Sequence, residues 1–215
     1  MHDMKSPLNI ELQEKTLIVR FPDEWQILSW APFNGGDMKS SCIFNHQCDS
    51  FKNSKLDPIF NGIVERYHLP KNSVGMLTGA DVGNYRKTFL SKGPVWVHAV
   101  ATLGLQNARS AGDEADVENG EVKNHSGTIN LMVVTNALPH LTGRVEGHHI
   151  ASMAKTQALL ESGEKSKKSG RPATGTGTDC IVVASCGEVK ENYCGMHTVP
   201  GELIGKTVFK TISNF

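Results

Sequence analysis

One segment of the sequence leaves few choices for the fold: VWVHAVATLGL, which runs from Val95 to Leu105. Alternate residues of an extended strand point to opposite faces of a sheet, and in this segment both sets are mostly apolar. A strand that is apolar on both faces is usually a central strand of a sheet that is covered on each side. The segment therefore predicts a layered protein built around a covered β-sheet.

Other segments predict further strands and helices around this one. Runs rich in β-branched and aromatic residues predict strands at 16–21, 25–33, 40–46, 74–78, 128–135 and 179–185. Asp57 is expected to cap a helix whose first turn contains Pro58, and two more helices are expected over Val145–Ser162 and from Pro200 onward. An acidic, glycine-containing stretch, Arg109–Asn124, predicts an exposed loop.

The order of these elements narrows the fold class. Strands dominate the first half of the chain, and strands and helices mix in the second half without a regular alternation. We therefore predict an α/β or α+β fold: a single layered domain over residues 1–215, with a mixed β-sheet flanked by helices, and not a Rossmann domain.

Two of the predicted helices carry an apolar stripe at helical spacing. In the second helix the stripe contains Ile150, Met153, Ala154 and Ala158. In the last helix the corresponding face contains Leu203, Ile204, Thr207, Val208, Thr211 and Ile212. These residues are expected to pack against the sheet.

The charge balance argues against several kinds of partner. The chain has 22 Lys and Arg against 22 Asp and Glu, and its pI is about 7.1, whereas nucleic-acid binders usually carry a basic face. The short basic run Lys165–Arg171 also contains Ser and Gly, which is typical of a solvated loop. No stretch approaches the roughly 20 apolar residues that span a membrane. We therefore expect neither nucleic acid nor membrane as a partner.

The cysteines and the amino terminus bear on location. Met1–Pro7 lacks the apolar core of a secretory signal. The chain has an odd number of cysteines and no CxxC pair. Both features favour reduced thiols in a cytoplasm over a disulfide framework. The five are Cys42, Cys48, Cys180, Cys186 and Cys194. We expect a cytoplasmic protein with no cofactor, and the composition is compatible with a homo-oligomer.

The most unusual string is ATGTGTD, Ala173–Asp179, called the Thr/Gly loop below. Two glycines allow close backbone approach to a ligand and turns with positive φ. The hydroxyls of Thr174, Thr176 and Thr178 and nearby N–H groups could then donate to an oxyanion or to amide oxygens. Asp179 opens an apolar strand, where a buried carboxylate needs a partner. The alternative is a turn whose polar groups satisfy their own backbone.

Two nucleotide-binding motifs do not fit the Thr/Gly loop. It lacks the GK[ST] ending of a P-loop, and it precedes a strand where a P-loop follows one. It also lacks the third glycine of a dinucleotide fingerprint, and no helix opens after it.

Other candidate residues lie outside this loop. His197 could act as a general base or acid, because its unperturbed pKa lies near neutrality. Thr198 could contact substrate or simply cap the last helix. Asn107 and Asn84 lie in turns after strands and offer amides that could orient a substrate.

The second helix contributes further candidates. Lys155 could approach a carboxylate site, or it could be exposed. His148 and His149 point about 100° apart on a helix, so solvated histidines are expected there rather than a metal site. Cys194 and His197 alone make a weak metal signal, and we expect no metal.

Taken together, these strings resemble the adenosylcobinamide amidohydrolase family from about Val74 to the carboxyl terminus. The motifs are GMLTGADVGN (Gly75–Asn84), ATLGLQNARSAG (Ala101–Gly112), GTIN (Gly127–Asn130), the Ala154-Lys155-Thr156 helix, ATGTGTD and YCGMHTVPGELIG (Tyr193–Gly205). The resemblance implies hydrolysis of the amide that joins aminopropanol to the corrin ring of adenosylcobinamide, a corrinoid substrate. One departure is Met153, because an acidic residue commonly precedes Ala-Lys-Thr in the family.

Amide hydrolysis needs an attacking oxygen, a proton acceptor, an oxyanion stabiliser and an acid for the leaving amine. We expect Asp179 or His197 to act as base toward a water, and His197 to protonate the amine. Backbone N–H groups from Gly175 through Gly177 to Thr178 would hold the oxyanion, with Asn107 positioning substrate amides. These groups are expected to meet in one cleft.

A second mechanism makes Thr174, Thr176 or Thr178 the nucleophile of an acyl-enzyme, either within the intact chain or as a new amino terminus after self-cleavage. Two other functions also remain: a corrinoid-binding salvage protein without catalysis, which Met153 would favour, and an unrelated phosphate- or nucleotide-binding module.

Overall fold

The computed structural model describes residues 8–48, 56–116 and 127–213. Its strands are β1 (Asn9–Gln13), β2 (Thr16–Ser29), β3 (Gly36–Gln47), β4 (Val74–Thr78), β5 (Arg86–Lys92), β6 (Val95–Leu103), β7 (Ala108–Arg109), β8 (Ile129–Thr135), β9 (Gly175–Thr176) and β10 (Cys180–Ser185). Its helices are α1 (Leu56–Arg66), α2 (Leu141–Ser162) and α3 (Val199–Ser213).

Within the described residues, eight strands form one mixed sheet in the order β4-β3-β2-β10-β8-β6-β5, with β1 added beside β2. The pairs β3/β4 and β8/β10 are parallel, and the other pairs are antiparallel. β7 and β9 form a separate two-stranded ribbon. The prediction of a layered α/β fold with a mixed sheet flanked by helices is confirmed.

Three apolar clusters hold the layers together. The first packs α2 and α3 against one face of β6, β8 and β10. The second fills the opposite face, where β2, β3 and β4 curl over the same central strands. The third packs α1 onto the outer face of β2 and β3. The curl brings Asn130 of β8 within 2.8 Å of Asn45 on β3 through their side-chain amides.

Several element boundaries differ from the predictions for local reasons. The strands expected at 16–21 and 25–33 are one strand, β2, whose pairing with β3 shifts register between Arg20 and Trp25. The strand at Val74–Thr78 and the double-sided burial of β6 are confirmed. Asp57 is not the N-cap of α1, because Leu56 before it is already helical. Residues 117–124 of the expected loop lie outside the described residues.

The predicted apolar stripe of α2 is wrong at one position. Met153 is 39% exposed, whereas Ile150, Ala154 and Ala158 are buried against the sheet. All six residues expected on the inner face of α3 are buried. All five cysteines lie in described parts of the chain, and none of them forms a disulfide. None of the described helices combines the length and the apolar character that crossing a membrane requires.

His98 gives the fold a pH dependence. It is 3% exposed on β6, and burial lowers its pKa to about 4, against about 6.5 in the unfolded chain. Between these values the unfolded chain binds a proton that the folded chain does not, so the free energy of unfolding falls as the pH drops below about 6.5. We expect this histidine to contribute a loss of about 2 kcal/mol between pH 7 and pH 5.

Urea denaturation at the two pH values measures this loss. The pH dependence should be smaller in His98→Gln than in the parent chain. Burial also lowers the pKa values of His46 and His148, so part of the dependence should remain in the variant. Equal pH dependence in parent and variant would contradict the assignment to His98.

Candidate active site

Polar side chains gather at one end of the central strands. Asp179 immediately precedes β10, and the parallel register pairs Cys180 with Asn130 near the start of β8. Thr102, next to the end of the antiparallel strand β6, is paired with the same Asn130. α2 packs along the face of the sheet, and its carboxyl-terminal half brings Lys155 to the carboxylate of Asp179 at this end. Residues far apart in sequence therefore meet at this edge because of the strand order.

Lys155 and Asp179 form an ion pair that is mostly removed from water. Nζ of Lys155 donates to Oδ2 of Asp179, and the two side chains are only 10% and 11% exposed. Charges this far from solvent are retained only when they are paired and hydrogen-bonded. The alternative of an exposed lysine at position 155 is therefore wrong.

The second oxygen of Asp179 is held by the Thr/Gly loop. Oδ1 accepts from the hydroxyl of Thr176, from the backbone N–H of Thr176 at 3.0 Å, and from the N–H of Ile129 at 3.3 Å. The three side chains form what we call the Lys155–Thr176–Asp179 cluster. In this cluster the carboxylate contacts both a hydroxyl and an ammonium group. These are the groups that covalent catalysis uses: a hydroxyl as nucleophile, a carboxylate as base and a cation beside them.

The other two threonines of the loop have structural contacts instead. Oγ1 of Thr174 accepts from the N–H of Ala111 at 2.9 Å, and the hydroxyl of Thr178 donates to the Gly127 carbonyl at 3.4 Å. Of the three hydroxyls, that of Thr176 is therefore the one that contacts Asp179.

The two glycines of the loop are needed because there is no room for a side chain at these positions, and not because the backbone has a positive φ. Neither Gly175 nor Gly177 has a φ in the left-handed region. A Cβ on Gly175 would collide with Oδ2 of Asp179 and would lie 2.8 Å from Nζ of Lys155. A Cβ on Gly177 would lie 2.9 Å from the side-chain nitrogen of Asn107. Both glycines thus let the backbone approach the cluster and its neighbour closely.

This packing yields a prediction for Gly175→Ala. The new methyl group must displace the carboxylate or the ammonium group, and a displacement of about 1 Å at a reacting group can cost a hundredfold in rate. We expect any turnover by the site to fall at least about a hundredfold. Gly62→Ala in α1 is the matched control, since a Cβ there meets nothing within 4 Å. Unchanged turnover in Gly175→Ala would contradict this geometry.

Asn107 is buried beside the loop. It is 4% exposed, and its backbone carbonyl accepts from the N–H of Gly177 at 3.2 Å. The N–H of Thr176 is engaged by Asp179. Two of the N–H groups expected to hold an oxyanion are therefore already occupied, which leaves more of that task to Lys155.

Asn84 lies in a neighbouring part of the same end of the sheet. It lines an open cavity of about 480 Å³ together with Asp81, Arg86 and Gln106. Leu103 of β6 also lines this cavity, and β8 lies between β6 and β10, so the cavity and Asp179 lie about 10 Å apart at ordinary strand spacing. Asn84 also donates to Oδ2 of Asp81 at 2.9 Å.

His197 is not brought to the cluster. The segment that carries it follows the carboxyl end of β10, whereas Asp179 precedes the amino end, and six residues of strand span about 20 Å. In that segment, the N–H of Cys194 donates to Glu146 near the start of α2 at 2.6 Å. Lys155 lies nine residues further along α2, or about 13 Å. The expected meeting of His197 and the Thr/Gly loop in one cleft is therefore wrong.

Thr198 has the contacts of a helix cap. Its Oγ1 accepts from the N–H of Gly201 at 3.1 Å, and its carbonyl accepts from Glu202 at 3.0 Å in the first turn of α3. The alternative that Thr198 caps the last helix is the one that the structure favours.

Sequence reasoning missed two groups of residues near the cluster. One is a buried amide network, in which Nδ2 of Asn130 donates to Asn45 at 2.8 Å and Asn45 donates to Thr102 at 2.9 Å. The GTIN motif contained Asn130, so a signal existed in the sequence. The other group consists of Trp30 and His148. The indole N–H of Trp30 donates to the backbone carbonyl of Asp179 at 2.8 Å. His148 is half-buried, so the prediction of a solvated histidine there is wrong.

The described residues contain no group of three or more His, Cys, Asp or Glu side chains placed to hold a metal ion.

Met153, the residue that departs from the family pattern, lies away from the cluster. Met153 precedes Lys155 by two residues, which places the two side chains about 200° apart around α2. Met153 is exposed while Lys155 is buried against Asp179.

The chain is similar to a known family and to other proteins. A sequence model of a family described as "Adenosylcobinamide amidohydrolase" matches residues 1–214. The uncharacterized protein MJ1613 of Methanocaldococcus jannaschii is 30% identical over 236 residues, which cover 97% of this chain and 90% of that protein. The crystal structure of the PH0078 protein from Pyrococcus horikoshii OT3 has a TM-score of 0.42 and 11% identity, covering 97% of this chain and 82% of that one.

Proposed function

Because this chain belongs to the adenosylcobinamide amidohydrolase family, we propose that it hydrolyses the amide joining aminopropanol to the corrin ring of adenosylcobinamide. The products are adenosylcobyric acid and free aminopropanol. The observation that best supports hydrolysis is the Lys155–Thr176–Asp179 cluster, where one carboxylate contacts a hydroxyl and an ammonium group. The exposed residues Gly177 and Thr178 border this cluster, so a large substrate can approach it from solvent.

In the first half-reaction Thr176 is the nucleophile and Asp179 is the base. The hydroxyl proton moves to Oδ1 of Asp179 while Oγ1 of Thr176 bonds to the amide carbon. Lys155 stabilises the negative charge that develops on the amide oxygen, because its ammonium group lies beside the same carboxylate. Lys155 then protonates the amine nitrogen as the C–N bond breaks, and Asp179 returns a proton to Lys155 through their direct contact.

In the second half-reaction water releases the product acid. Asp179 accepts a proton from water as the water oxygen attacks the ester carbon. The bond to Thr176 then breaks, and its oxygen recovers the proton from Asp179. One water is consumed, one amide is cleaved, and the cluster ends in its starting protonation state.

The test is a turnover assay with the purified chain. Adenosylcobinamide is incubated in dim light, and aminopropanol and adenosylcobyric acid are quantified over time by liquid chromatography and mass spectrometry. We expect both products in equal amounts, at a rate proportional to protein concentration. A parallel reaction with chelator reports on any metal requirement.

The outcome also separates the proposal from a binding protein. Retention of adenosylcobinamide on the protein without any release of aminopropanol would overturn the hydrolase assignment. Met153 lies on the exposed side of α2, away from Lys155, so its departure from the family pattern gives less support to a non-catalytic protein.

A further inference from the structure

Trp30 is an exposed aromatic side chain that lies directly beside the cluster. Its side chain follows the end of β2 and is 52% exposed, whereas Trp25 and Trp96 are 6% and 5% exposed. Large aromatic side chains are usually buried, and one that faces water beside a polar cluster is a candidate for ligand contact.

The exposed ring is held in place from two sides. Its Nε1 donates to the carbonyl of Asp179 at 2.8 Å. The ring also packs on His148, with ring centroids 5.2 Å apart and the two ring planes tilted by 38°. His148 is itself fixed, because its Nε2 lies 2.6 Å from the carbonyl of Leu28. A ring held this way loses little conformational freedom when a ligand covers it.

The protonation state of His148 suits this arrangement. Burial lowers its pKa, so the imidazole stays neutral near pH 7. Its Nε2 donates to the Leu28 carbonyl, and its Nδ1 is buried without a hydrogen-bond partner among the described residues. A neutral, fixed imidazole packs against the indole, and half of the indole surface stays exposed to solvent.

Building on the proposed function, we propose that Trp30 is a stacking platform for a flat conjugated ring of the corrinoid substrate. The indole N–H contacts the backbone of Asp179, so a ring on this platform lies next to the cluster that cleaves the amide. The adenine of the adenosyl group has this chemistry, whereas axial ligands of cobalt and amide side chains stand on both faces of the corrin ring and obstruct stacking there. Trp30 is thus a binding residue that holds the substrate beside the cluster.

Trp30→Ala is the first test. Stacking of a flat ring on an aromatic side chain contributes binding energy. Replacing the aromatic side chain by alanine commonly weakens binding about tenfold. We expect KM for adenosylcobinamide to rise about tenfold while kcat changes less than about threefold, since the contact is made equally before and during reaction. Trp30→Phe keeps a ring without the N–H and should restore KM to within a few-fold of the parent value. Tyr193→Ala is the control, because Tyr193 is 68% exposed at the other end of the sheet.

Direct binding separates this inference from the proposed function. Ultrafiltration with the absorbance of free corrinoid gives Kd for adenosylcobinamide and for dicyanocobinamide, which has no adenosyl group. Weaker binding of adenosylcobinamide alone by Trp30→Ala supports stacking of adenine on Trp30, and it does so even if the parent chain shows no turnover. Equal weakening for both ligands would overturn the platform, because dicyanocobinamide has no adenine. Kd values within twofold of the parent for both ligands would overturn it, as would equal losses in Trp30→Phe and Trp30→Ala.

Discussion

Turnover of adenosylcobinamide is expected to fall at least about a thousandfold in Asp179→Asn. Asp179 accepts from Thr176 with one oxygen and from Lys155 with the other, so it is the single acceptor that links the nucleophile to the cation. An asparagine has nearly the same shape but cannot take a proton from a hydroxyl, and positioned general bases contribute 10² to 10⁴ in rate. The measurement is kcat from aminopropanol release.

Loss of stability must be distinguished from loss of chemistry in this variant. Removing one partner of a buried pair typically costs about 3–5 kcal/mol, because the remaining charge is left unpaired. The double variant Asp179→Asn with Lys155→Met removes both charges. We expect it to recover most of the unfolding free energy lost in Asp179→Asn and to remain inactive. Recovery of turnover together with stability would show that the pair only supports the fold.

Thr176→Val is expected to reduce kcat at least about a thousandfold while the chain stays folded. Valine keeps the branched shape of threonine and removes the hydroxyl that contacts Asp179. Loss of a nucleophile removes the covalent route entirely. Thr176→Ser keeps a hydroxyl at the same position and should retain a substantial part of the activity. Thr211→Val is the control, since Thr211 is a buried threonine of α3 that donates to the Thr207 carbonyl.

Intact-mass measurement tests the same step without a substitution. Rapid acid quenching of the parent chain during turnover should give a species heavier by the corrinoid acyl group, and Thr176→Val should not form it. Hydroxylamine should remove the adduct, because it cleaves esters. A single uncut parent species of 23.4 kDa before reaction would exclude self-cleavage at a threonine. Full turnover by Thr176→Val would instead favour direct attack of water activated by Asp179.

Local sequence patterns were sufficient for most of the secondary structure. The strand at Val74–Thr78 was predicted at its observed bounds, and the buried face of α3 was predicted residue by residue. These features depend on side-chain periodicity over a few residues, which the sequence displays directly. The exposure of Met153 was mispredicted because an apolar residue can fit a helical stripe and still lie outside the packed interface.

The candidate site was only partly accessible to the same reasoning. The Thr/Gly loop and Asp179 stood out because two glycines and three hydroxyls in seven residues are unusual. The distance of His197 from this loop could not be read from the sequence, because it depends on which end of β10 each segment adjoins. Trp30 was missed for a similar reason: its partner Asp179 lies 149 residues away in the chain.

The sequence by itself determined the covered sheet, the helices that flank it and the family motif that contains Thr176 and Asp179, because each of these depends on residues close together in the chain. Only the tertiary structure decided that Lys155 pairs with Asp179, that Trp30 lies beside them, and that His197 does not. The physical reason is strand order: β2 and β8 flank β10, and the carboxyl-terminal half of α2 packs at the end of β10 where Asp179 lies, so the contacts of the site are set by neighbours in space.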